Sequence, residues 1–320
     1  MDSLIYSLNA TIPVFLVIVA GYFFNLKGMF NEGFISAANR FTFRVCLPLM
    51  IFADMARSDL TSAFDGDLVA FSAAVTVVMF ALIWAGARLF IKDKSIIGAF
   101  VQASYRSSVA VMGFAFMMNI YGRTGLMPMI IIGCVPLYNI FAVTVLTFEA
   151  PDAQNDTNKK SKLKKAAFGI VKNPIIIGIF FGCLGSLIHI YDYMPQMISK
   201  AADNIGAITT PLSLIVIGAS FEGKEAIAKV KPTVVSCLIK LVALPAVFLT
   251  AAVLFGFRGE ALLALVIMLG SPTTPSCYIM AKNMNNDGVL TSSVIAATTL
   301  VSSVTLTFWI FIMKYAGFIS

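Results

Sequence analysis

Long apolar stretches alternate with short polar gaps along almost the whole chain. Ten stretches can be marked off, at 5–24, 34–52, 68–90, 96–119, 126–148, 167–190, 198–220, 233–255, 261–282 and 289–313. Each is close to the length that an α-helix, rising 1.5 Å per residue, needs to cross roughly 30 Å of hydrocarbon. Gly, Asn, Asp and charged residues punctuate the gaps, as at 256–259 and 283–288. The pattern predicts an all-α integral membrane protein with ten transmembrane helices and no soluble module between them.

Composition agrees, with 59% hydrophobic and 12% charged residues. A single soluble core of 320 residues could not bury that much apolar surface. The net charge of +7 reports topology. With the N-terminus outside, 13 of the 23 cations fall in cytoplasmic loops, among them Lys92, Lys94, Lys162, Lys229 and Lys282. Only Arg57, Arg123, Lys200, Arg258 and Lys314 fall outside. That asymmetry predicts two external termini in a multi-pass cell (inner or plasma) membrane protein, and it argues against nucleic-acid binding. The start of the chain has Asp2 and no basic n-region, so the first span is expected to serve as its own insertion signal. Cys46, Cys134, Cys183, Cys237 and Cys277 lie in apolar segments without a C-x-x-C pair, which predicts free thiols and no metal site.

The two halves resemble each other. Ile35-Ser36 and Leu47-Pro48-Leu49 recur as Ile198-Ser199 and Thr210-Pro211-Leu212, 163 residues later, and Gly21 recurs as Gly182 at 161. The chain therefore divides into a five-helix repeat at 1–148, a basic cytoplasmic loop at 149–166 and a second five-helix repeat at 167–320. An odd number of spans inverts the second copy. Inverted repeats of this kind place a site near the bilayer midplane and serve alternating access.

Two anomalies mark that site. The ninth stretch is interrupted by Ser271-Pro272-Thr273-Thr274-Pro275-Ser276, and two prolines there free backbone carbonyls that lipid cannot satisfy. Thr274 and Ser276 are suitable N-caps for a second half-helix, whose positive end suits an anion. A kink used only for packing is the alternative. In the fourth stretch Arg106 lies near the centre, where a charge costs at least about 2.5–3.5 kcal/mol and needs a partner or a wet cavity. Gln102 precedes it by a turn, Ser107 and Ser108 follow, and Gly113 allows a close helix approach. Arg106 either contacts an anion directly or pairs with carbonyls freed at a break.

Weaker candidates follow. In Pro136-Leu137-Tyr138-Asn139, Tyr138 and Asn139 could face the same cavity or make interhelical hydrogen bonds. Lys240, within the eighth stretch, is a minor site candidate. Asp203 could serve cation coupling or mark an exposed helix end. No carboxylate lies deep in the stretches as drawn. Gly178-x-x-x-Gly182-x-x-Gly185 permits close packing within or between subunits.

With Tyr105-Arg106-Ser107, Pro136-Leu137-Tyr138-Asn139, and Pro272 followed by Ala281-Lys282, the chain resembles the auxin efflux carrier family, in particular its short bacterial malate or malonate permeases. The resemblance covers essentially the whole chain. It implies a scaffold of the first, second, sixth and seventh spans and a transport domain of the other six. It also implies crossing broken helices 4 and 9, an elevator-like movement and a homodimer. Ser108 and Ser276 stand where many relatives have Asn, the fourth stretch has no proline, and the long hydrophilic loop of the plant exporters is absent.

These readings point to a secondary carrier for a small organic anion, a mono- or dicarboxylate or an auxin-like acid. No Walker A sequence or other cofactor motif is present, and the coupling ion, H+ or Na+, stays open. The alternatives are a sodium-coupled symporter of bile-acid type and a membrane sensor without flux. An intramembrane enzyme is disfavoured by the lack of H-E-x-x-H, G-x-S-x-G or a histidine near an acid within the spans.

Overall fold

The computed structural model describes residues 2–57, 65–109, 112–113, 116–117, 125–151, 167–221 and 223–319. The basic loop with Lys159, Lys160, Lys162, Lys164 and Lys165, Arg123 and the end of the fourth stretch lie outside the described residues. All regular structure among the described residues is helical. We number the main helices α1 (Asp2–Leu26), α2 (Glu32–Ala56), α3 (Gly66–Phe90), α4 (Ile97–Tyr105), α5 (Met127–Glu149), α6 (Pro174–Leu187), α7 (Gln196–Ala219), α8 (Val230–Leu254), α9 (Gly259–Gly270), α10 (Ser276–Asn283) and α11 (Gly288–Tyr315).

Among the described residues, six helices (α2, α3, α5, α7, α8 and α11) are long and apolar enough to cross a membrane, and Ile12–Leu26, α6 and α9 are shorter apolar helices. The shortening has local causes. Pro174 starts α6, with Asn173 Oδ1 accepting from the Ile175 amide as its cap. Breaks at 106–108 and 271–275 divide the fourth and ninth stretches.

Prolines also shape the long helices. Pro48 has no amide hydrogen, and just before it the helix widens into a π turn at Thr42–Cys46, where Leu47 N reaches Thr42 O. Pro245 is preceded by the same device at Ile239–Ala243. In α7 the α-helical bonding is interrupted at Ile208, whose amide turns to Ile205 O at 3.3 Å while its backbone stays helical, shortly before Pro211. Each distortion makes room for a ring that would otherwise clash one turn back. Those of Pro48 and Pro211 occur at the two positions that repeat in the sequence.

Helix pairing follows the glycines. The C-terminal half of α2 packs along α6, and the C-terminal half of α7 packs along α1. A Cβ on Gly178 would lie 2.7 Å from Pro48 O, and one on Gly182 would lie 2.7 Å from Met55 Cβ and 3.0 Å from Phe52 O. The Gly178–Gly185 stripe therefore packs within the chain. On the other pair, Gly21 faces the backbone of Ile215, and Gly218 faces Ile18 O and Tyr22 N. Ile215 and Phe52, the partners of Gly21 and Gly182, are again 163 residues apart. Because the opposing atoms on the α1–α7 pair are backbone, neither helix can yield without moving. Gly218→Val is expected to destabilise the protein by about 1–3 kcal/mol or more, read as a lower ligand-free melting temperature in detergent. Gly86→Ala, into open space, should leave it unchanged.

Helix ends meet in two sets. Arg88, closing α3, pairs with the buried Glu149 at the end of α5 at 2.6 Å, and Lys229 before α8 pairs with Asp287 before α11 at 3.0 Å. Lys229 also reaches Asp93 at 3.8 Å, so these ends lie together. In the other set, Glu260 at the start of α9 accepts from the Leu126 amide before α5, Gly259 N donates to Phe318 O after α11, and Arg57 after α2 pairs with Asp203 of α7. Tyr191 donates to the same Asp203.

α4 and α9 are the centre of the bundle. Every residue from Ile97 to Tyr105 and from Leu262 to Gly270 is buried, as expected of helices apolar all round. By contrast α1, α6, α8 and α11 display Leu16, Phe180, Phe181, Val247, Leu254 and Phe311 at their surfaces. An outer apolar face over a polar-lined interior is the distribution that lipid imposes.

Candidate functional site

The site is built where the chain stops being helical. After Tyr105 the backbone turns extended at Arg106, and 106–108 are not helical; after Gly270 it does the same at Ser271. The two breaks cross and cap each other. In a continuous helix Ala103 O would accept from residue 107; here the Thr273 hydroxyl donates to it at 2.7 Å. The Ser108 amide, released from its own helix, donates to Pro272 O at 2.9 Å. Gln102 Nε2 donates to Cys277 O at 2.7 Å. Thr273 N turns to Thr298 Oγ1, leaving Leu269 O to the fully buried Lys240, whose Nζ donates to it at 3.2 Å. Buried backbone groups must find partners in an apolar medium, and each break supplies them to the other. The fourth stretch is thus unwound without a proline.

Against this crossing lies a cavity of about 160 Å³. Arg106, only 4% exposed, lies in its wall. Its Nη2 donates to Asn139 Oδ1 at 2.9 Å and to Ser276 Oγ at 3.3 Å, and its Nη1 contacts Met280 Sδ at 2.7 Å. Asn139 is itself held by donating Nδ2 to Val135 O at 3.0 Å. Arg106 Nε and Ser107 Oγ are buried with no partner, and the buried Tyr138 hydroxyl has only the Cys134 thiol beside it. Such orphan groups are costly in a finished interior. The guanidinium with the Ser107 and Tyr138 hydroxyls forms a donor-rich lining suited to an oxyanion.

The structure brings together Arg106, Ser107, Ser108, Tyr138, Asn139, Thr274 and Ser276. The other candidates support the crossing from behind. Gln102, Pro272 and Thr273 make the bonds just described, and Pro275 is the N-cap residue of α10. Gly113 packs on Met127. Lys240 caps the C-terminal end of α9, where a cation is favoured by the helix dipole. Thr274 and Ser276 do not cap α10, contrary to expectation: no side chain caps it, and the two hydroxyls lie 3.3 Å apart, with Ser276 accepting from Arg106.

Three polar or charged residues of the lining were not among the sequence candidates. Asp54, Thr209 and Thr210 line the cavity, contributed by α2 and α7. α2 continues past residue 52 to Ala56, which brings Asp54, near the end of that helix and just beyond the stretch as drawn, into the wall. The polar Thr209-Thr210 pair just before Pro211, the counterpart of the Pro48 motif, was the signal available for α7. Asp203, a candidate for cation coupling, instead pairs with Arg57 and Tyr191.

The chain is similar over most of its length to known transport proteins. The family model described as "Membrane transport protein" matches residues 6–310. "Uncharacterized transporter YfdV" of Escherichia coli K12 is 23% identical over 97% of this chain and 99% of the relative. "Uncharacterized transporter MJ1031" of Methanocaldococcus jannaschii is 20% identical over 94% and 97% of the two chains. A protein of Rhizobium meliloti named "Putative malonate transporter" is 23% identical over 86% of each. With a match across nearly its whole length, on a helical bundle with a lipid-suited surface, this multi-pass membrane protein belongs to the membrane transport protein family, the family of auxin efflux carrier type.

Proposed function

We propose that the protein is a secondary carrier that moves a small mono- or dicarboxylate across the cell membrane by alternating access. The observation that carries the reading is the Arg106 guanidinium in the wall of a cavity at two crossed helix breaks, with Nε and Ser107 Oγ left without partners. A bound carboxylate would supply acceptors to these groups and take two parallel bonds from a guanidinium. Asn139 and Ser276 would hold Arg106 in place, while Ser108 and Thr274 complete the polar wall.

The same reading takes the chain as ten crossings in two inverted sets of five. The two sets of helix ends and the matching of Gly21–Ile215 with Gly182–Phe52 support it. In that scheme α1, α2, α6 and α7 form a scaffold, the remaining helices move against it in an elevator-like shift, and two copies associate as a homodimer. The cavity suits such a movement, because its walls come from α2 and α7 on one side and from α4, α5 and α10 on the other.

Uptake into proteoliposomes tests the function. Malonate is the first substrate to try, because a relative carries its name, followed by malate, acetate and indole-3-acetate, each with and without Na+ and pH gradients. Saturable malonate or malate uptake is the expected result. Uptake of none of these acids would refute the proposal, and an absolute need for Na+ would favour a bile-acid-type symporter. Topology is tested separately by an impermeant thiol reagent on intact cells. Arg258→Cys should react and Lys162→Cys should not; labelling at Lys162→Cys would overturn the inverted arrangement.

A further inference from the structure

A second, larger cavity of about 810 Å³ lies on the same seam, toward the cation-rich helix ends. Its walls are the α1–α2 turn and the start of α2, the end of α7, α10 and the start of α11. Along α2, Arg40 faces this cavity and Leu47 the Arg106 cavity. Seven residues of helix separate them, about 10 Å. The π turn of α2 and the body of α7 pack against α10 between the two spaces.

The lining has an unusual charge arrangement. Arg40 on α2 and Lys282 on α10 are both exposed in the cavity, and neither forms a salt bridge among the described residues. Glu32, at the mouth of α2, is the acidic residue of the lining. The lining also holds one unpartnered donor. Tyr278, 2% exposed, has a buried hydroxyl without a partner, and Asn39, 4% exposed, lies in the same wall. Asn283, beside them, donates to Ile279 O at 2.8 Å.

We propose that this cavity is an anion-docking site which takes carboxylates from water on the cation-rich face before they reach Arg106. The inference rests on the carrier reading above and names where that carrier's substrate first binds. Arg40 and Lys282 would hold the carboxylate groups electrostatically, and the Tyr278 hydroxyl would donate a hydrogen bond to one of them. The two cations stand on opposite walls, one on the α2–α7 side and one on the α10 side. Bringing those walls together with the cavity empty sets like charges against each other. An anion between them removes that repulsion, so docking also favours closure of the seam.

The test uses the full-length protein in proteoliposomes, with labelled malonate as probe and initial rates measured separately from each face. For the wild type, raising ionic strength from about 0.01 M to about 0.15 M shortens the screening length from about 30 Å to about 8 Å. KM should therefore rise several-fold from the cavity's face and much less from the other. The Arg40→Gln/Lys282→Gln double variant should raise KM at low salt from the cavity's face by roughly three- to tenfold and abolish its salt dependence. Exchanging the charges, Arg40→Lys with Lys282→Arg, should restore most of the lost affinity, which a folding defect would not allow. Equal salt dependence on the two faces, or an unaltered KM in the neutral variant, would overturn the docking site while leaving the carrier reading intact. A wild-type protein that moves no carboxylate would sink both.

Discussion

Arg106→Gln should abolish carboxylate transport and weaken substrate binding roughly 30-fold or more, the equivalent of about 2–5 kcal/mol for a desolvated charge-assisted pair. Arg106→Lys should retain a folded protein with intermediate affinity, because an ammonium keeps the charge but loses the planar fork. The structure sharpens a competing outcome. Arg106 already donates to Asn139 and Ser276 and so joins α4, α5 and α10. If that is its whole role, both variants should melt earlier without ligand, and the surviving protein should bind substrate normally. Ligand-free melting and substrate affinity must therefore be measured together. Unchanged affinity in Arg106→Gln would remove the guanidinium from the binding site.

Replacing Pro272 and Pro275 together by Ala should have an effect of similar size on transport. The change restores two amide donors and lets α9 run on into α10. A straight helix cannot keep Pro272 O against Ser108 N, Thr273 Oγ1 against Ala103 O and Cys277 O against Gln102. Each lost bond costs about 1 kcal/mol, offset in part by the recovered helix bonds. Stability should therefore change modestly, while the Thr274 and Ser276 hydroxyls leave the cavity wall. The expected result is near-complete loss of uptake with expression and oligomer size preserved. Normal substrate affinity in this variant would show that the break serves packing alone.

Both predictions start from residues that could be picked out before any coordinates, and the reason is that their signals are local. A charge near the middle of an apolar stretch, two prolines in a helix interior and glycines one turn apart each violate or mark a rule of their own segment. The helical, membrane-spanning class of the chain follows from the same local periodicity and length. The sequence alone therefore determined that helices of this kind form, that the ninth stretch breaks at Pro272, and that Arg106 needs a polar setting.

What the tertiary structure decided depends on groups that meet across long separations in the chain. The fourth stretch has no proline, and its break at 106–108 is held by Pro272 and Thr273, about 165 residues away. Lys240 reads as a site candidate until Thr273 N is seen to turn to Thr298, which leaves Leu269 O for the lysine to cap. Asp54, Thr209 and Thr210 carry no midspan signal, yet they complete the cavity because proline-distorted α2 and α7 pack beside α10. Hydrophobic pattern and proline sterics act within a turn or two of helix. The partner that satisfies a freed carbonyl, and the wall that faces a buried charge, are fixed only when the helices pack.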